Sequence, residues 1–150
     1  MTDFKLEAFL PYQLSVLAGR MSRGFAAIYE TRFGITVAEW RVLAHLHDAG
    51  SCSVRDIHKE ADLEKSRVSR AVARLEARGL VERSPGAADK RLLSLSLSPA
   101  GAGLVAEILP LALAFEEEAL ARLSDSAAFR AAIADGLTHS PLTPAGPKGE

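Results

Sequence analysis

Residues 54–101 read VRDIHKEADLEKSRVSRAVARLEARGLVERSPGAADKRLLSLSLSPAG, and within them the apolar spacing changes from a helical to a strand period. Ser53, with Asp56 three residues on, predicts a capped short helix from Val54 to about Ala61. A break over residues 62–64 leads into a second helix, which runs to Arg78 and closes at Gly79. Val68, Val72 and Leu75 recur along one face of it, as packing of a helix requires. Residues 80–83 then read as a short strand, and residues 84–89, SPGAAD, as turn chemistry. Leu93, Leu95 and Leu97 alternate with Ser94, Ser96 and Ser98, the pattern of a half-buried return strand. Ser98-Pro99 sets an N-cap with proline in the first turn of a further helix.

Two short helices joined by a tight turn and followed by a β-hairpin make a winged helix-turn-helix. Helices flank it on both sides, so the fold class is mainly α with a small β-wing. Upstream, Leu10, Leu14, Leu17, Met21, Phe25 and Ile28 form one stripe of a long helix over residues 10–33, ending at Gly34. Thr36 with Glu39 predicts a capping box opening a helix through Trp40, Leu43, Leu46 and His47, which stops at Ala49-Gly50. Downstream, a helix through Leu104, Ile108, Leu111 and Phe115 bends near Pro110 and reaches about Leu123. Ser124 starts a last helix to about Leu137, and residues 139–150, with three prolines and two glycines, read as a frayed tail.

The chain has 150 residues, 48% hydrophobic and 25% charged, which excludes wholesale disorder and suits one domain's length. No apolar run approaches the roughly 18 residues that span a bilayer, and no signal peptide opens the chain, so a cytoplasmic protein without a membrane partner is expected. The single cysteine, Cys52, fits a reducing compartment. Its formal net charge is −1, which argues against a polyanionic partner only if the charge is evenly spread. It is not. Residues 1–63 carry a net −1, residues 64–91 a net +4, and residues 92–150 a net −4. The basic centre coincides with the second helix of the pair and the wing, the elements that touch DNA in a winged helix-turn-helix. With Val68, Val72 and Leu75 inward, Lys65, Ser66, Arg67, Ser69, Arg70, Ala73 and Arg74 face outward. Arginine's planar fork matches the paired acceptors of guanine, and serine hydroxyls suit a base edge or a phosphate. Lys90 and Arg91 at the hairpin tip extend this set toward the minor groove, and Arg55 adds a cation from the first helix of the pair. Asp89, acidic beside a polyanion, reads as a residue that holds the wing by pairing with an arginine such as Arg74.

The stretches ITVAEWRVLAHL and VRDIHKEADLEKSRVSRAVARLEARGLVERSPGAADKRLLSLSLSPAG resemble the MarR family of bacterial transcriptional regulators. The motif S-x-x-x-x-L-E-x-x-G-L-V-x-R runs from Ser69 to Arg83, and the wing motif D-x-R, with its P-A-G turn, from Asp89 to Gly101. The resemblance covers roughly residues 10–138. It implies a homodimer whose N- and C-terminal helices intertwine. Residues 1–35 and 99–138 would then form the dimerisation region and residues 36–98 the DNA-binding domain, with residues 139–150 a flexible tail. The apolar first helix and the stretch LVAEILPLALAFEEEALARL independently exceed what so small a winged core can bury. Two-fold symmetry predicts a pseudo-palindromic operator with half-sites roughly 34–36 Å apart. The resemblance further implies a repressor released by a small acid, often aromatic or phenolic in the family, bound between the dimerisation helices and the winged domain. Leu17, Arg20, Met21 and Gly24 of the first helix, with Trp40, Ala44 and His47 of the second, would line that cleft, Arg20 serving as anion partner.

Other classes are poorly served. No G-x-G-x-x-G, G-x-x-x-x-G-K, H-E-x-x-H, G-x-S-x-G or cysteine pair is present, so neither an enzyme nor a cofactor is expected and no catalytic residue is assigned. His45 and His47, two apart on a helix, face different ways, and Glu116-Glu117-Glu118 reads as a solvated face, so no metal site is expected. A winged protein–protein module and a redox regulator using Cys52 are the alternatives. Cys52 has Arg55 as its one nearby cation and reads better as a small structural residue.

Overall fold

A computed structural model describes residues 3–85 and 93–139. Its elements are a 3₁₀ turn (Leu6–Ala8), α1 (Leu10–Phe33), α2 (Val37–Ala49), β1 (Ser51–Cys52), α3 (Val54–Ala61), α4 (Lys65–Ala77), β2 (Val81–Pro85), β3 (Leu93–Leu97), α5 (Pro99–Ala121) and α6 (Ser126–Thr138). The fold is therefore mainly helical with one small antiparallel sheet, ordered β1-β3-β2. Internal contacts divide the chain into Met1–Leu113 and Ala114–Glu150.

The first unit is built around α4. Val68, Ala71, Val72 and Leu75 are fully buried against Val42, Leu43 and Leu46 of α2, Ile57 of α3 and Leu95 of β3. Each large apolar side chain so buried contributes roughly 1.5–3 kcal/mol. Val105 and Ile108 bring the start of α5 into the same core. The α3–α4 turn follows from local chemistry. Asp62 takes the left-handed conformation (φ 51°), a tolerable strain for a residue with a short polar side chain. His58 Nδ1 bonds the Leu63 carbonyl across the turn, and Arg41 of α2 donates to the Ala61 carbonyl at 3.1 Å. The capping box at Ser53 and Asp56 is complete in both directions. Ser53's two hydrogen bonds hold the Asp56 carboxyl below its ordinary 3.8. The stability contributed by the Asp56 carboxylate's half of the box is therefore present above pH 3.8 and is lost as the pH falls through the lower folded value.

The wing register pairs Val81 with Leu97 and Arg83 with Leu95. The first strand is longer than expected, since Ser84 and Pro85 pair with Ser94 and Leu93 instead of entering the turn. Pro85 is tolerated because it ends an edge strand, where a missing N–H costs little. The rest of the expected turn, residues 86–89, lies outside the described residues, as does the tail beyond His139. Ser98 caps α5 as the sequence implies. Its Oγ accepts from Gly101 N at 3.0 Å and donates to the Gly79 carbonyl at 2.6 Å, while its own N–H donates to Leu80 O at 3.0 Å.

Three further expectations are corrected. Thr36 caps α2 through Glu39 N, but the Glu39 carboxylate does not return to the cap and pairs elsewhere, so only half the box forms. The buried face of α1 is Ala26 and Tyr29, and Leu10, Leu14 and Leu17 are exposed, in line with the expectation that the stripe exceeds what the winged core can bury. In the second unit α6 is opened by Asp125, which accepts from Ala128 N at 2.9 Å, in place of Ser124. Finally, α5 is long and apolar enough by length and composition to cross a membrane, which a search for unbroken runs misses because Glu107 interrupts it. Gly101, Val105 and Ile108 are nonetheless buried in the winged core.

At Gly101 a Cβ would lie 2.0 Å from the Leu80 carbonyl oxygen. Gly101→Ala should lower the unfolding free energy by roughly 1–3 kcal/mol, the range for overpacking. Gly103→Ala, with nothing within 4 Å, should raise it by roughly 0.5–1 kcal/mol. Urea titrations of the two variants check the contrast.

Candidate nucleic-acid interface

The basic segment divides once its partners are known. Arg78 donates to the Gly34 and Phe33 carbonyls at 3.2 and 3.1 Å, tying the end of α4 to the end of α1. Arg83 pairs with Glu76 at 2.6 Å, bracing β2 against α4. Arg74 pairs through Nε with Glu39 at 3.0 Å. These three cations are engaged in holding the fold. Lys65, Arg67 and Arg70 are exposed and make no ion pair among the described residues, and the same holds for Arg55 of α3. In particular, neither Glu60 nor Glu64 takes Arg67 or Arg70; Glu60 lies 3.9 Å from His45 instead.

The exposed cations are on one face because α4's buried residues are on the other. Ser66, Ser69 and Ala73 are exposed beside them, so the whole outward set read from the periodicity does face solvent. A cavity of about 490 Å³ opens along this face, lined by Arg67, Arg70 and Arg74 of α4, Thr36, Val37 and Ala38 at the start of α2, and Glu30 of α1. Three guanidiniums against one lining carboxylate make it an anion-attracting recess. Glu39 is the residue that sequence reading misassigned. A buried carboxylate at the third helical position has the same signature as a capping box, and only its placement opposite Arg74 distinguishes the two. Asp89, Lys90 and Arg91 lie outside the described residues. The pairing expected between Asp89 and Arg74 has its arginine Nε already taken by Glu39.

The residues expected to line an effector cleft are dispersed in character. Leu17, Arg20 and His47 are exposed, as is Gly24, while Met21, Trp40 and Ala44 are half-buried. Trp40 packs its ring against Phe25 and Tyr29, with centroids 5.5 and 5.8 Å apart, as part of the core's edge. His45 Nδ1 donates to the Arg41 carbonyl of its own helix at 2.7 Å and its Nε2 lies 3.9 Å from Glu60, and among the described residues no group of three metal-ligating side chains forms. Glu116 and Glu118 pair with Arg130 and Arg122 on the surface of the second unit. Cys52 stands in β1 and is half-buried. Burial, reinforced by Asp56 and Glu60, pushes its thiol up to about 11.

A family model described as MarR family matches residues 33–92. The chain is 34% identical over 93 residues to the uncharacterized HTH-type transcriptional regulator YwoH of Bacillus subtilis, covering 62% of this chain and 67% of that protein. It is 27% identical over 99 residues to the HTH-type transcriptional repressor IacR of Pseudomonas putida, covering 66% of this chain and 59% of the relative. Among solved structures, that of Bordetella bronchiseptica BpsR, whose DNA binding is regulated by 6-hydroxynicotinic acid, superposes with a TM-score of 0.77 at 28% identity. That match spans 91% of this chain and 96% of BpsR.

With its thiol pushed up to about 11, Cys52 should carry roughly a hundredfold less thiolate at pH 8 than a thiol at the ordinary 9.0. Iodoacetamide labelling of the folded protein should accelerate up to about pH 11. A plateau near pH 7 would instead identify a reactive thiolate.

Proposed function

Since this chain belongs to the MarR family of transcriptional regulators, we propose that it is a sequence-specific DNA-binding repressor that acts as a homodimer and is released by a small ligand. The observation that carries this reading is the exposed face of α4. Lys65, Arg67 and Arg70 stand there with Ser66 and Ser69, held in place by a buried opposite face and without ion-pair partners among the described residues. An isolated cationic face of this kind gains most from a polyanion, and a helix presented by a helix-turn-helix is the element that enters a major groove. Arg67 and Arg70 are assigned to base edges, and Lys65, Ser66, Ser69, Arg74 and Arg55 to register and phosphates. Lys90 and Arg91 of the wing tip are assigned to the flanking groove, with Asp89 holding the wing.

Repression is supported by the likeness to IacR, and ligand release by the likeness to BpsR. A small acid near Arg20 would act only through its differential affinity for the DNA-binding and released states. Dimerisation through residues 1–35 and 99–138 is supported by the apolar surface the single chain leaves in water. Phe4, Leu6, Phe9, Leu10 and Leu14 are all exposed in the first unit, and Ile133 and Leu137 in the second. Large apolar side chains left in water in such number favour an interface. The cytoplasm is the compartment this function requires.

Selection from a randomised duplex pool at about 50 mM salt, where phosphate contacts are strongest, should enrich an inverted repeat. Failure to enrich any duplex would favour a winged protein-interaction module instead. On the enriched duplex Arg70→Ala should cost about 1–3 kcal/mol and on random duplex much less, if it reads a base. An equal loss on both would make it a phosphate contact. Leu14→Asp, at an exposed site, should leave the fold intact and shift sedimentation from dimer to monomer; a variant that stays dimeric would remove α1 from the interface.

A further inference from the structure

We propose that Glu39 is a positioning residue for DNA binding, pinning Arg74 so that its two terminal nitrogens point into the recess beside α4 and meet a backbone phosphate. The inference rests on the regulator reading above and adds to it a residue that makes no contact with DNA itself.

Glu39 is 3% exposed, whereas the side chain of its partner Arg74 is 52% exposed. A carboxylate withdrawn from water this far requires a strong partner, and its one charged partner among the described residues is Arg74 Nε at 3.0 Å. Its place in the first turn of α2 adds the favourable end of the helix dipole. Arginine has five donor hydrogens in a rigid planar fork, so engaging Nε fixes the guanidinium plane and leaves the other four on the terminal nitrogens. Those nitrogens belong to the residue that lines the recess together with Arg67, Arg70 and residues 36–38. The pair therefore divides the α4 arginines by role. Arg67 and Arg70 keep the rotamer freedom that base reading of different sequences uses. Arg74 is held in one orientation, which suits a phosphate whose position does not vary with sequence.

The sign of one substitution separates this from mere proximity. Glu39→Gln removes a negative charge beneath a face that meets a polyanion, so Coulomb's law alone predicts tighter binding to every duplex. Positioning predicts the reverse, because the neutral amide holds the guanidinium less firmly. Binding of the full-length protein to the enriched duplex and to random duplex is measured across salt for wild type, Glu39→Gln, Arg74→Gln and the double variant. The double variant leaves no buried charge unpaired, so it remains interpretable if Arg74→Gln unfolds, and thermal denaturation verifies that each variant is folded. The expected result is a loss of roughly tenfold for Glu39→Gln on both duplexes, with the salt slope reduced by about 1, as for one lost phosphate contact. The double variant should bind no more weakly than Arg74→Gln. Unchanged or tighter binding by Glu39→Gln overturns the inference, as does a further loss when Glu39→Gln is added to Arg74→Gln. A wild type that enriches no duplex would overturn the regulator reading itself, which keeps the two failures distinct.

Discussion

The burial of Val68, Ala71, Val72 and Leu75 on one side of α4 is the constraint on which the rest depends. An α-helix turned apolar face inward has no choice about what its other face presents. Burial against α2, α3 and β3 therefore orients Lys65, Ser66, Arg67, Ser69 and Arg70 outward without any interaction of their own. A helix that carries cations on one face, and would lose that geometry if it rolled, needs a deep core more than it needs surface ion pairs. Surface pairs are worth little in water, whereas each large buried aliphatic side chain contributes roughly 1.5–3 kcal/mol.

The joints around α4 convert that burial into a defined pose. At its N-terminal side, Asp62, the His58–Leu63 contact and Arg41 on the Ala61 carbonyl set the turn from α3. At its C-terminal side, Ser98 bonds the Gly79 carbonyl while Gly101 passes against Leu80, which leaves no room for a side chain. Arg78 anchors the same end to the Phe33 and Gly34 carbonyls. Several of the cations that make the central segment basic are thus structural. The surface offers fewer free cations than the segment contains, since Arg78 and Arg83 are engaged by the fold and Arg74 through its Nε.

Much of this was legible from the chain. The change from helical to alternating spacing after Gly79 located the wing, and Val68, Val72 and Leu75 located the buried side of α4. Periodicity succeeds there because a single face of each element is buried. It fails where a residue type has two uses. Glu39 in the first turn of α2 looks like half of a capping box, and whether it bonds its own helix or an arginine 35 residues away is a matter of tertiary proximity. The stripe from Leu10 to Leu17 exceeds what the winged core buries and is exposed in the single chain, as the sequence implies, while periodicity reports only that a face is apolar and not what covers it. The ends of β2 and the start of α6 moved for a related reason: Pro85 and Asp125 respond to strand partners and orphan helix N–H groups, which local composition only suggests.

By itself the sequence determined the order and type of the elements, the inward face of α4 and the uneven distribution of charge, because each follows from short-range periodicity and from counting. The tertiary structure alone decided which cations stay free and which are spent on the fold. Lys65, Arg67 and Arg70 belong to the first group and Arg78 and Arg83 to the second, while Arg74 is held through its Nε and keeps its terminal nitrogens. That division depends on which carboxylates and carbonyls from distant segments arrive within 3 or so ångströms, roughly the reach of a hydrogen bond, and chain order does not encode it.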